Sequence, residues 1–245
     1  MISPDELLRE AHSKTYRLPE GFGGYSARVV VAMDGVRATG SVVVGPTGDV
    51  DFVDSDGFGA RSGAFDWTRR QVAALAAERR PLDYEAATGC FDKTLDPDDG
   101  HPMGRLVRIC DPCRSAYRIE DGVITQVEST LGRDRLVLTV QVRGRICDGR
   151  SVPLQFTIGH FDSVCGTLVC TETFCDNYVG IHGALLPASR QVLTIADSNV
   201  TIGRIRFEDH ELLSDSPPGP CPHMGTQLAR WPETMPPPGL VPSRN

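Results

Sequence analysis

Apolar residues recur at every second position through most of the chain. Tyr25, Ala27, Val29, Val31 and Met33 alternate with Ser26, Arg28 and Val30, the period of a strand with one buried face. Asp34-Gly35 follows, a strong hairpin-turn pair, and Val36 to Val44 is the return strand, with a third expected at Val50 to Val53. The same grammar returns downstream. Strands are expected at Arg105 to Ile109, Ala116 to Ile119, Val123 to Thr130, Arg135 to Cys147, Ser151 to Phe161, Leu168 to Phe174, Leu185 to Ala196 and Val200 to Phe207. Asp121-Gly122 and Asp148-Gly149 supply two more turns. Hairpins in succession imply an antiparallel meander.

Two stretches switch to helical period. Ser3 as N-cap, Pro4 at the first helical position and Glu6 three residues on form a capping box. Leu7, Leu8, Ala11 and His12 carry this helix to about Tyr16, before Pro19 and the glycines that follow. A second helix is expected over Ser62 to Arg80, with Phe65, Thr68, Val72, Leu75 and Ala76 on one arc and Arg69 at its edge. A meander this long must curl to bury one face, and the two helices are its filling. The expected fold is α+β, mainly antiparallel β: a curled half-barrel sheet wrapped around two helices in one domain, 1–213. Nine of the 18 prolines lie between Pro217 and Pro242, so 214–245 reads as a poorly ordered tail.

Composition narrows the chemistry. A net charge of -7 argues against broad nucleic-acid binding. Lys14 and Lys93 are the only lysines, so arginine carries almost all the positive charge. No secretory leader and no apolar run long enough for a membrane span is visible, so the expected compartment is the cytoplasm, where the eight cysteines would stay reduced.

Several motifs, in shared order, carry a family likeness. They are Leu7-Leu8-Arg9-Glu10-Ala11-His12 with Tyr16 and Gly21-Phe22-Gly23-Gly24-Tyr25, then Tyr117 to Val127, then Thr171-Glu172-Thr173-Phe174 with Leu186-Pro187-Ala188-Ser189-Arg190. Over roughly residues 5 to 212 the chain resembles an uncharacterised domain family, a domain of unknown function, common in cyanobacteria and plants. The resemblance implies the curled antiparallel sheet of lipoprotein-carrier domains, which enclose an apolar space. The cysteines and the Pro-rich tail depart from the usual pattern. The general layout is also similar to small actinobacterial Pictet–Spengler cyclases of alkaloid pathways, without a residue-by-residue match.

Candidate site residues follow from polar groups on apolar faces. Arg69, beside Phe65 and Val72, would clamp a substrate carboxylate or phosphate if it turned inward, and would otherwise be a structural ion pair. Glu172 shares a strand face with Leu168, Cys170 and Phe174, where burial would raise its pKa and suit it to acid/base work. His160 shares a face with Leu154, Phe156 and Ile158, while His101 sits in the loop Asp98 to Pro102 and His182 near Gly183. Glu128 alternates with Val127; inward it would contact substrate, and on the favoured solvent side it would be an exposed strand carboxylate or an arginine's partner. The expected catalytic set is therefore Glu172, His160 and His101, with Arg69, Phe65, Glu128 and Cys170 binding substrate.

Cys110-Asp111-Pro112-Cys113 has the spacing of a zinc knuckle or redox pair, but Cys165, Cys170 and Cys175 alternate faces on a strand and cannot all converge. No phosphate loop, zinc-protease motif or nucleophile elbow is present, so no cofactor is expected. The main expectation is a cofactor-independent acid/base enzyme of secondary metabolism, condensing or cyclising an aromatic amine or amino acid, of Pictet–Spengler type. The alternatives are a carrier or sensor of an apolar ligand, and a Cys-ligated metal protein. The expected partner is a small molecule, with neither nucleic acid nor membrane involved; a homodimer is left open.

Overall fold

The computed structural model describes residues 2–54, 63–97 and 100–213. The expected Pro-rich tail lies outside them. Twelve strands form one sheet: β1 (Tyr25–Met33), β2 (Val36–Val44), β3 (Val50–Asp54), β4 (Lys93–Leu95), β5 (Arg105–Ile109), β6 (Ala116–Glu120), β7 (Val123–Leu131), β8 (Asp134–Arg145), β9 (Ser151–Asp162), β10 (Leu168–Ile181), β11 (Ala184–Ala196) and β12 (Asn199–Leu212). Their order is β3-β2-β1-β12-β11-β10-β9-β8-β7-β6-β5-β4, and every pairing is antiparallel. The mainly antiparallel half-barrel expected from the sequence is the fold observed. Asp34-Gly35, Asp121-Gly122 and His182-Gly183 all adopt positive φ at both turn positions, the geometry that matches the twist of the strands they join.

Helix α1 (Pro4–Ser13) begins at the expected capping box: Ser3 Oγ accepts from the Glu6 amide at 3.1 Å, and the Ser3 amide donates to Glu6 Oε2 at 2.8 Å. It stops short of Tyr16. The Ser151 amide donates to the Lys14 carbonyl and the Tyr16 amide to the Ser151 carbonyl, each at 2.8 Å, so β9 pulls the chain out of helix.

The chain leaves β3 at one edge of the sheet and enters β4 at the other. Laid flat, twelve strands would span about 50 Å, whereas the connecting helix α2 (Gly63–Arg79) is about 25 Å long. The sheet curls to bring its edges toward each other, and α2 straps its concave side. Trp67, Val72, Leu75 and Ala76 of α2 join a core with Val29, Val31, Val42, Phe156, Phe174, Leu186, Val192 and Ile205. Gly203 of β12 makes room for the Trp67 ring, because a Cβ there would stand 2.4 Å from Cζ2. Helix α1 covers the far end of the sheet, packing Leu7, Leu8 and Ala11 on Val107, Ile109 and Ile119.

The buried arc of α2 keeps four of the five expected residues, Thr68, Val72, Leu75 and Ala76, and adds Ala64, Trp67, Gln71 and Arg79, with Phe65 half-buried at its border. Arg69 lies roughly 110° from the centre of this arc at 100° per residue, and it is exposed. The large Trp67 ring, buried against Gly203, extends the arc on the side away from Arg69. A π-helical turn at Glu85–Gly89, strand β4, and the extension of β10 from Phe174 to Ile181 were not foreseen.

Candidate functional site

Between the two helices the concave face of β7, β8 and β9 stays uncovered and floors a cavity of about 320 Å³. Its apolar floor is Ile124, Val127, Leu138, Val140, Pro153 and Phe156. Its walls are His12, Thr15 and Arg17 from α1 and the segment after it, Ala77, Glu78 and Arg79 from the last turn of α2, Tyr117 of β6, Arg143 of β8 and Ser151 of β9. Val127 registers with Leu138, Leu138 with Ile158, and Val140 with Phe156, so one inward row crosses three strands.

The polar wall depends on a change of phase. Ser151 and Pro153 line the cavity, and so does Phe156, although strict alternation would put 153 and 156 on opposite faces. The register shifts between Val140 and Val142 and again between Val142 and Arg143. These bulges turn Arg143, partnered with Pro153, onto the concave side. Its Nη2 donates to the Ile124 carbonyl. Arg17 donates from Nη1 to the carbonyls of Glu78 and Arg80, both at 3.3 Å, capping the free C-terminal carbonyls of α2. Burial lowers the pKa of Arg17, and the neighbouring Arg79 charge adds to that; burial also lowers Arg143. His12 stands edge-on to Tyr84 and Tyr117, and neither ring nitrogen meets a hydrogen-bond partner among the described residues. Burial, followed by the Arg17 charge, brings its pKa down to about 4.

Behind the α2 wall lies a buried charge network. Arg190 of β11, 0% exposed, donates from Nε to Asp176 Oδ1 at 2.9 Å and from Nη2 to Asp176 Oδ2 at 2.7 Å and Glu78 Oε2 at 3.1 Å. Its guanidinium lies over the rings of Phe174 and Phe156, which stack on each other 4.6 Å apart. Tyr178 donates to Asp176 at 3.2 Å and takes a hydrogen bond from Arg79. Burial opposes the Arg190 charge, but Glu78 and Asp176 outweigh it and hold its pKa above the ordinary value.

Three expected site residues come together, outside this cavity. His160 Nε2 lies 3.0 Å from Glu172 Oε2, and Cys170 is the register partner of His160. They share the concave face with Phe156 and Phe174, with His160 about 13 Å along β9 from Phe156. Burial, then the Glu172 carboxylate, pushes the Cys170 thiol pKa up, which disfavours a nucleophilic thiolate. The other four do not join them. Arg69 is exposed and cannot clamp a ligand in the cavity. Phe65 packs edge-on against Phe52, 5.2 Å between centroids. Glu128 registers with Val137, opposite in face to the cavity pair Val127–Leu138, and binds Arg135 at 2.7 Å. His101 serves its own loop, its Nδ1 accepting from the Met103 amide at 3.1 Å.

Reading β10 onward past Phe174 would have found Asp176 and Tyr178, which continue its inward alternation. His12 and Arg79 carried a signal as polar residues on apolar helical stripes. Arg143 carried none, since only the bulges turn it inward. Among the described residues no three His, Cys, Asp or Glu side chains converge in an arrangement that could hold a metal. Cys110 is exposed, and Cys221 lies outside those residues. Among the described residues, no helix is long and apolar enough to cross a membrane.

Residues 2–213 match the family described as Protein of unknown function (DUF3386), and the chain belongs to that family. The family resemblance carried by the ordered motifs is thereby correct. Among solved structures the chain is similar to an outer membrane lipoprotein-sorting protein domain from Vibrio parahaemolyticus, at 10% identity and a TM-score of 0.35 over 86% of this chain and 93% of that one. It is also similar to a chain of the Pseudomonas aeruginosa MucA/MucB complex, at 10% identity and a TM-score of 0.21 over 84% of this chain and 93% of that one. No curated protein matches.

Proposed function

We propose that this chain is a non-catalytic carrier or sensor of a small, largely apolar ligand held between the helices and the sheet. The supporting observation is the 320 Å³ cavity with its row of half-buried aliphatic residues, Val127, Leu138 and Val140. That volume suits one small molecule. Each methylene transferred from water to such a floor contributes about 0.8 kcal/mol, so a ten-carbon chain brings enough to offset part of the cost of association. The test is solvent extraction and native mass spectrometry of the purified protein, with calorimetric titration of decanol. Stoichiometric binding that is lost in Leu138→Trp, where the indole fills the floor, is the expected result. An empty protein that takes up neither decanol nor a charged ten-carbon analogue overturns the reading.

The His160–Glu172 contact favours a second reading, the cofactor-free acid/base enzyme. In it the imidazole moves protons during condensation or cyclisation of an aromatic amine or amino acid, as in a Pictet–Spengler reaction, and Glu172 orients the ring. The clamp once expected from Arg69 has no part in it. Turnover of such substrates should fall at least a hundredfold in His160→Gln; unchanged turnover in both His160→Gln and Glu172→Gln ends this reading.

A further inference from the structure

The polar wall of the cavity is richer in positive charge than an apolar ligand needs. Four of its lining residues carry full charges: Arg17, Arg79 and Arg143 against Glu78. Glu78 is drawn away to Arg190 at 3.1 Å, and Arg79 is engaged by Tyr178. Arg17 and Arg143 make only backbone carbonyl hydrogen bonds among those recorded for them. Both line the same cavity. Arg17 follows the segment where Thr15 bridges Ser151 of β9, and Arg143 is the register partner of Pro153, two residues further along that strand. His12, on the same wall, keeps both ring nitrogens without a partner among the described residues, and the neutral ring has one N–H to donate. In a chain of net charge -7, a local excess of half-buried cations with an idle donor beside them is a costly arrangement. An oxyanion would compensate it.

Resting on the carrier reading, we infer that the ligand is an amphiphile with an oxyanion head, a carboxylate or a phosphate, received by Arg17 and Arg143 with His12, while its apolar body lies on Val127, Leu138 and Val140. Guanidinium groups held before binding lose little freedom when they meet planar oxygens. The apolar floor supplies affinity and the arginines supply selectivity. An uncharged alcohol of the same length leaves the cations uncompensated, and an alkylammonium adds to the repulsion.

The experiment is calorimetric titration of the full chain with decanoate, decyl phosphate, decanol and decylammonium at pH 7.5 and moderate salt. Decanoate or decyl phosphate should bind at least tenfold more tightly than decanol, and decylammonium should not bind; the tighter of the two anions identifies the head. Arg143→Gln should bring the preferred anion to within about threefold of decanol. Arg17→Gln should do the same, and Arg143→Gln decides the matter if loss of the α2 cap prevents Arg17→Gln from folding. Equal binding of decanol and the anions overturns the oxyanion head but leaves the carrier reading standing, as does anion binding unaltered in a folded Arg143→Gln. Failure of all four probes overturns both.

Discussion

The two helices that bound the cavity are docked by different physics. Helix α2 belongs to a core of nineteen buried residues, and its last turn is tied to β10 and β11 by the buried Glu78–Arg190–Asp176 network. Helix α1 rests on a cluster of six buried residues. It is edged by ion pairs nearer the surface, Arg9–Asp5 and Lys93–Asp5, each at 2.9 Å. Lys93, then Arg9, hold the Asp5 carboxyl down to about 2, but Asp5 and Arg9 are more than a third exposed and solvent screens them. The wall contributed by α2 is therefore the fixed one. The wall contributed by α1 opens at lower cost, and local opening follows the element with least burial.

The largest effect on this contrast comes from removing the buried guanidinium. Arg190→Ala leaves Asp176 buried and uncompensated and should cost about 3–5 kcal/mol; urea unfolding measures it, and amide exchange should show α2 losing its protection. A loss under 1 kcal/mol would mean that α2 is held by its apolar face alone. Leu8→Ala, at a fully buried position of α1, should cost about 3 kcal/mol, with faster exchange confined to α1 and its neighbours β4 to β7. Exchange spreading equally into α2 would abolish the distinction between the walls.

His12 gives the α1 wall a pH dependence. Its folded-state pKa is about 4 against an ordinary 6.5, so the unfolded chain takes up a proton first as the pH falls. The stability from keeping the ring neutral is fully present above about pH 6.5 and is lost between there and pH 4, about 3 kcal/mol in all. Tyr84, Tyr117 and Arg17 face this ring and none supplies a carboxylate to retain the proton. The urea midpoint should fall over this window, and the fall should be largely absent in His12→Phe. Ser3→Ala, which removes the N-cap of α1, is the smallest effect, about 1 kcal/mol, read as a shift in thermal midpoint with α2 unaffected.

Much of the architecture was written locally. Alternation marks β1 and β2 to the residue, because one face of each is buried along most of its length. Ser3, Pro4 and Glu6 start α1 where expected, since a capping box needs only four consecutive residues. The site was far less legible. Glu172 and His160 were each read as inward from strand parity, a local property until a bulge intervenes, and their contact across β9 and β10 came only from register. Arg69 and Glu128 stay outside the cavity for different reasons: Arg69 lay at the edge of its arc, which Trp67 extends on the opposite side, and Glu128 kept the solvent side its alternation had assigned.

Sequence by itself determined the strands, their turns, two helices and the need for a curled sheet, all of which follow from periods of two and 3.6 residues and from turn chemistry. Only the tertiary structure decided that Arg69 falls outside the buried arc of α2, that Glu78, Asp176 and Arg190 share one network, and that Arg17 and Arg143 line one cavity. Those outcomes depend on cross-strand register, on bulges and on the closing of the sheet around its strap. Each couples residues tens of positions apart, beyond the reach of any local pattern.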